Sequence, residues 1–416
     1  MTSRRQFLKQ GAASFAAVNF PFIANAANKR PTLRVLGTHV TLQEDIRLAA
    51  ERALGFNIKF YPGGSAEVLL QASIEPESFD IYEQWSNSMR VLWNANTIKS
   101  IDKRRISQWE NINDITKQGR ISADAKLGKG DAPAKLLYIK NNQLSHEITN
   151  EISFLPYVHN VDSFGYNTDV IPAGIAYETE SWGWLLDDNY RSKVAIVNEP
   201  TIGLFDLALA LQAKKVMQFT DIGNISASEL DTMFTYIDEF QKQKHFRGVW
   251  RSVPHSVELM ANNEVVIESM FSPAVSSLNG MGIPCRYAAP KEGYRAWHGV
   301  MCLSSMINSE REDMAYQFMN WWLSGWPGAY IARQGYYISN PETSRPYMTD
   351  AEWNYWYLGK PAEKDLKGTD GKVSVLTGDY RNGGSYQQRF ENIAVWNTVM
   401  PTYEYSLIKW NEFLFG

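Results

Sequence analysis

Aromatic rings are the side chains this sequence supplies in unusual number for chemistry. With 14 Trp, 21 Tyr and 19 Phe they make up 13% of the chain. Flat π faces attract cations and stack on flat ligands, so some of these rings are expected to line a binding cleft while most fill cores. The adjacent pair Tyr336-Tyr337 offers two phenolates, which with a histidine and a carboxylate would suit ferric iron. His255 and Glu258 stand three residues apart; that spacing reads as a solvated helix face before it reads as a metal pair. Cys285 and Cys302 admit either a disulfide or two buried thiols acting as small apolar residues. Two cysteines cannot supply four thiolates to an iron–sulfur cluster. No G-x-S-x-G, H-E-x-x-H, P-loop or strand-linked G-x-G-x-x-G occurs, so neither a hydrolase nor a nucleotide-dependent redox enzyme is expected.

The elements that must position these groups read as α/β. Leu33 to Gly37 is a short buried strand. Thr41 and Glu44 fit a capping box ahead of Ile46, Ala49, Ala50 and Ala53, and Gly55 stops that helix. Asn57 to Tyr61 and Phe79 to Tyr82 follow as strands, which makes a βαβ unit in a parallel sheet. Ser226 and Glu229 form a second capping box before Leu230, Met233, Phe234, Ile237 and Phe240. Ser309 and Glu312 open a helix that turns Met314, Phe318, Trp321 and Trp322 inward. Residues 115–150 are polar and irregular. Residues 360–385, rich in Gly, Asp and Lys, read as a long surface loop.

Ser3-Arg4-Arg5-Gln6-Phe7-Leu8-Lys9 precedes a short, weakly apolar run that ends in Ala24-Asn25-Ala26. This is the pattern of a twin-arginine secretory signal, expected to be removed after residue 26. No cysteine follows that site, so a lipid anchor there is not expected. Removal takes Arg4, Arg5 and Lys9 but no acid, so 41 basic and 45 acidic residues become 38 and 45, a net charge of −7. A mildly acidic chain without Lys/Arg blocks argues against nucleic acid and against an anionic membrane surface as partners. No apolar run is long enough to span a bilayer. Asn224-Ile225-Ser226 fits a glycosylation acceptor, discounted because the leader is of bacterial type.

Several segments resemble one family, the spermidine/putrescine-binding branch of the periplasmic solute-binding proteins of ABC importers. Pro156-Tyr157 through Gly165-Tyr166-Asn167 resembles its crossover segment. Ser181-Trp182 with Leu185, Tyr190 and Lys193-Val194 resembles its "S-W-x-x-L" stretch. Pro290-Lys291-Glu292-Gly293 followed by Trp297 resembles "P-K-E-G-x-x-x-W-x-D". Ile98 to Asp102, and Gln334-Gly335-Tyr336 with Asn340, match two further segments in order and spacing. The resemblance runs from about residue 33 to 340; the tail beyond 345 is longer than typical.

The resemblance implies a two-lobed periplasmic binding protein of type II with a ligand cleft between lobes. Residues 31–160 and 297–342 would form lobe 1, and 161–296 with 343–416 lobe 2. It implies Trp85, Phe271 and Trp297 as cleft aromatics, with Tyr336 offering a hydroxyl. His159 and Asp162 come from the crossover, and Glu199 stands where the family salt-bridges a ligand amine. Two of the family's acids are missing: Ile202 and Gly299 occupy their positions. The aromatic box is thus largely kept while the carboxylate set is depleted to Glu199 with Asp162 or Glu268. One cationic group is served and a second is not, since a buried unpaired ammonium is costly. The expected ligand is a small cationic or zwitterionic amine, polyamine-like, delivered to a membrane permease by a monomeric periplasmic protein with no cofactor and no resident metal. A ferric-ion-binding protein is the alternative.

Overall fold

The computed structural model describes residues 31–415; the expected signal peptide, 1–26, lies outside them. The chain opens with β1 (Thr32–Thr38), α1 (Glu44–Leu54), β2 (Asn57–Gly63), α2 (Ser65–Ile74) and β3 (Ile81–Trp85). β1 pairs in parallel with β2 on one side and β3 on the other, as the strand–helix–strand spacing requires. α1 ends on Gly55 at φ 77, where its N–H reaches Glu51 O at 2.9 Å. The expected capping box at its start does not form. The helix begins one residue past Gln43, and the buried Thr41 hydroxyl is held by Tyr157 Oη at 2.8 Å instead.

The second half of the frame contains β4 (Leu155–Asn167), β5 (Val194–Val197), α3 (Pro200–Ala213), α4 (Ala227–Lys242), β6 (Phe246–Trp250), β7 (Ile267–Met270), α5 (Ser272–Gly280) and β8 (Cys285–Tyr287). It closes with β9 (Tyr294–Ser304), α6 (Ser309–Trp322), β10 (Ile393–Trp396) and α7 (Tyr403–Phe415). The strand order is β6-β5-β7-β4-β9-β3-β1-β2, so one continuous sheet runs through both lobes. β4 is shared: Leu155 to Asp162 pairs with β9, and Ser163 to Tyr166 pairs with β7. Every residue of β4 and β9 is buried. A third crossing is made by β10, which lies beside Tyr294 to Ala296 of β9.

Two apolar cores flank these crossings. One gathers Leu33, Val35, Ile58, Tyr82, Phe318 and Trp322. The other gathers Val194, Ile196, Leu204, Leu207, Met233 and Trp410. α4 has the full capping box, with Ser226 Oγ accepting from Glu229 N and Glu229 Oε2 accepting from Ser226 N. α6 is capped one residue earlier than expected, by Asn308. The polar stretch 115–150 supplies Tyr138–Lys140 and Gln143–Ser145 to a small four-stranded antiparallel sheet completed by Glu151–Ile152 and Ile101–Asp102. In the tail, Met348, Tyr355, Trp356, Phe390 and Trp396 form a further cluster with Ile115, Val161 and Tyr294, while α7 packs on α3 and α4. Both cysteines are buried free thiols: Cys285 Sγ lies 3.7 Å from Met270 Sδ and Cys302 Sγ 3.4 Å from Met89 Sδ. No helix of the described residues is long and apolar enough to cross a membrane.

Candidate functional site

Where β4 and β9 cross between the lobes, Val40, Trp85, Asp162, Ile202, Phe271, Trp297, Tyr336 and Asn397 enclose a cavity of about 20 Å³. Trp85 ends β3, and Trp297 lies on the same face of β9, two residues from Gly299, which pairs with Trp85. Tyr336 stands edge-on to Trp297 with ring centroids 5.5 Å apart. Phe271 precedes α5 and is edge-on to Trp250 at 5.0 Å. Five of the seven residues suggested by sequence therefore meet at one space; His159 and Glu199 do not line it.

His159 is fully buried, with Nε2 2.7 Å from Tyr386 Oη and its ring against Tyr337 and Phe390. Burial, with His298 nearby, lowers its pKa to about 3, so the ring is neutral. Glu199 caps α3: its Oε1 accepts from the Thr201 N–H at 3.4 Å and from the Thr201 hydroxyl at 2.9 Å. Its other oxygen accepts from Ser65 Oγ of α2 at 3.3 Å, across the gap between lobes. Asn87 Nδ2 reaches Thr201 Oγ1 at 3.0 Å across the same gap. These two bonds join the lobes across the gap, beside the packing of Trp85 against the apolar cluster of Val197, Ile202 and Trp250.

The charge at this cavity comes from a triad. Arg295 lies two residues before Trp297 on the same face of β9 and is fully buried. Its Nε donates to Asp206 Oδ1 at 2.7 Å, and its Nη1 sits 3.5 Å from Asp162 Oδ2 and 3.3 Å from Asn397 Oδ1. Two carboxylates share one guanidinium, so with both acids ionised the buried cluster carries a net −1. Burial pushes Asp162 up to about 6 against the opposing pull of Arg295, and burial raises Asp206 as well. Tyr287 Oη has one proton for two acceptors, Met270 O at 3.0 Å and Asp162 Oδ1 at 3.2 Å. Asp206 Oδ2 and Arg295 Nη2 have no protein partner. A cationic head beside Asp162 would balance the excess charge, and the rings around it would cover its apolar stem.

The position of Gly299 is closed to a further acid. A Cβ there would sit 2.4 Å from Val158 Cγ1 and 3.0 Å from Tyr157 Cε1. Glu268 is buried in lobe 2, bound to Ser256 Oγ at 2.9 Å and kept toward its neutral form by burial. The two adjacent tyrosines point apart, as successive residues of an extended segment do. Tyr336 faces the cavity, whereas Tyr337 Oη donates to Trp356 O at 3.0 Å. Among the described residues no three His, Cys, Asp or Glu side chains are grouped to hold a metal ion. Arg295 and Asp206 carry no motif, but Asp206 is the one charge in the otherwise apolar or neutral run of α3, which is a readable signal of a buried partner.

Residues 106–376 match the family model described as bacterial extracellular solute-binding protein. The chain belongs to that family. It is accordingly a solute-binding protein, not an enzyme. Its fold is that of solved two-lobed binding proteins. A protein assigned to a spermidine/putrescine ABC transporter of Listeria monocytogenes is 13% identical with a TM-score of 0.65, covering 92% of this chain and 98% of that one. The PotD lipoprotein of Treponema pallidum is 12% identical with a TM-score of 0.64, covering 93% and 100%. The spermidine/putrescine substrate-binding protein PotD of Streptococcus pneumoniae is 13% identical with a TM-score of 0.60, covering 92% and 99%. At these identities the likeness of this solute-binding protein to them is one of fold. No curated protein matches it.

Proposed function

We propose that this solute-binding protein captures a small cationic or zwitterionic amine between its lobes and hands it to the permease of an ABC importer. The observation that carries the reading is the under-neutralised Asp162–Arg295–Asp206 triad beside Trp85, Phe271, Trp297 and Tyr336. One excess negative charge calls for one cationic group. The blocked position at Gly299 leaves a second ammonium unmatched, which favours a compact monocation or a zwitterion over a long polyamine. The polyamine transporters among the structural neighbours support the class of ligand and the ABC partnership. The divergent tyrosines argue against the ferric alternative. The twin-arginine leader motif supports export to the periplasm, where the protein acts as a monomer.

A thermal-shift series with putrescine, spermidine, choline, glycine betaine and basic amino acids tests this, because a ligand that binds the native state alone raises the melting temperature. At least one cation should raise it, and neutral sugars should not. A melt that none of these amines raises defeats the proposal.

A further inference from the structure

A second and larger cavity, about 480 Å³, lies between α5 and β8 on one side and the tail segment 374–382 on the other. It shares no lining residue with the interlobe cavity. Its size is that of small-molecule sites in general. Three arginines border it: Arg286, Arg381 and Arg389. Arg381 is 6% exposed and Arg389 0%. A guanidinium stays protonated when buried, so both are permanent internal cations.

Among the described residues none of these three arginines forms an ion pair with a carboxylate. Arg381 donates to Gly335 O at 2.9 Å, to Trp356 O at 3.4 Å and to the Tyr337 hydroxyl. Arg389 donates to Asn382 O at 2.8 Å and more distantly to Tyr294 Oη and Val161 O, and its Nε has no partner. Arg286 donates to Gly174 O and to the Tyr380 hydroxyl. The faces of Trp356 and Tyr294 lie 5.1 Å and 4.8 Å from the Arg381 and Arg389 carbons. Carbonyl dipoles and ring faces supply only partial counter-charge. The nearby buried acid Glu180 spends its oxygens on Tyr166, on the Ala289 N–H and on Asn382. Asp379 stands at the exposed rim and accepts from Leu376 N. The same chain treats its other fully buried arginine differently, since Arg295 is given two carboxylates. Burial and the like charge of Arg389 both depress Arg381. Among the buried arginines of the described residues, the two without a carboxylate partner, Arg381 and Arg389, both stand at the wall of this cavity.

We propose that the cavity is a binding site for a small organic carboxylate, its oxygens held by Arg381 with the buried charge of Arg389 behind it, and its carbon frame laid against Tyr355 and Trp356. Guanidinium and carboxylate match in planar, forked geometry, and the aromatic wall favours a ligand with carbon over a bare inorganic ion. The proposal does not rest on the amine reading, because the two sites are separate.

Isothermal calorimetry on the purified full protein in chloride buffer tests it, with succinate, acetate and inorganic phosphate as probes. Succinate or acetate should bind, and more tightly than phosphate. Arg381→Gln should weaken that binding at least tenfold. Ser276→Phe, which fills the cavity from α5 and leaves the arginines in place, should weaken it to the same degree. Binding of phosphate alone, or no heat from any of the three probes, overturns the proposal. So does Ser276→Phe, or a folded Arg381→Gln, that binds succinate and acetate as the wild type does.

Discussion

Replacing Asp162 by Asn isolates the charge that the proposed function depends on. Arg295 sits 2.7 Å from Asp206 but 3.5 Å from Asp162, so removing the Asp162 charge leaves the tighter pair intact and turns a net −1 cluster into a neutral one. The folded protein should tolerate this, since Asn keeps an oxygen for Tyr287 and relieves the cost of burying a second carboxylate. The ligand should not tolerate it. A hydrogen bond between charged groups is worth about 1.5–3 kcal/mol, so amine affinity should fall roughly 10- to 150-fold. The same charge sets a pH dependence. Asp162 is raised to about 6 in the folded protein, so a cation that needs the ionised form should lose affinity as pH falls through about 6, by roughly tenfold per unit below it. For stability of the unliganded protein the sign is opposite. A carboxyl raised above its unfolded value destabilises the native state once it ionises, so this contribution improves toward acid. Calorimetric titration of the wild type and of Asp162→Asn between pH 5 and 8 reads both effects. A folded Asp162→Asn with affinity within twofold of wild type, or a wild-type affinity flat across that range, would refute the argument.

Trp297→Phe keeps an apolar ring in a nearly closed position but shrinks the cation-facing surface; ligand affinity should drop about three- to tenfold while the melting temperature moves by only a few degrees, both read in one thermal-shift titration. Ser65→Ala combined with Asn87→Ala removes both bonds across the gap, each worth about 0.5–1.5 kcal/mol, so small-angle scattering should report a larger unliganded radius of gyration than wild type. Gly299→Asp, meant to restore a second acid, should instead destabilise the fold by about 1–3 kcal/mol or more through overpacking against Val158 and Tyr157, read as a lower melting temperature. Reducing agent should leave the melting temperature unchanged, and thiol titration of the denatured protein should count two free cysteines.

The first βαβ unit was legible because period and punctuation agree there: apolar runs for β1 to β3, a helical stripe for α1 and Gly55 to end it. Resemblance pointed to the rings that meet between the lobes. It could not give the electrostatics, because Arg295 and Asp206 lie 89 residues apart in sequence and meet only in the folded chain. Thr41 misled the capping assignment, as its hydroxyl is claimed by Tyr157, more than a hundred residues away. The stretch 360–385 has the composition of a solvated loop, yet Arg381 and Asn382 within it are buried. Their partners are backbone carbonyls, the Tyr337 hydroxyl and Glu180, acceptors that no local pattern announces.

The third crossing strand has a mechanical consequence. Trp396, at the end of β10, is fully buried against His298, and its indole donates to Leu127 O at 2.8 Å. Gly130 lies so close to the Trp396 carbonyl that no larger residue fits. The tail is thus riveted beside the other two connections before α7 fastens to the far lobe. Three spans side by side in one sheet resist torsion as a plank does. The protein can fold along that plank and yet has little freedom to swivel, so the two halves of its trap return to the same alignment each time they meet.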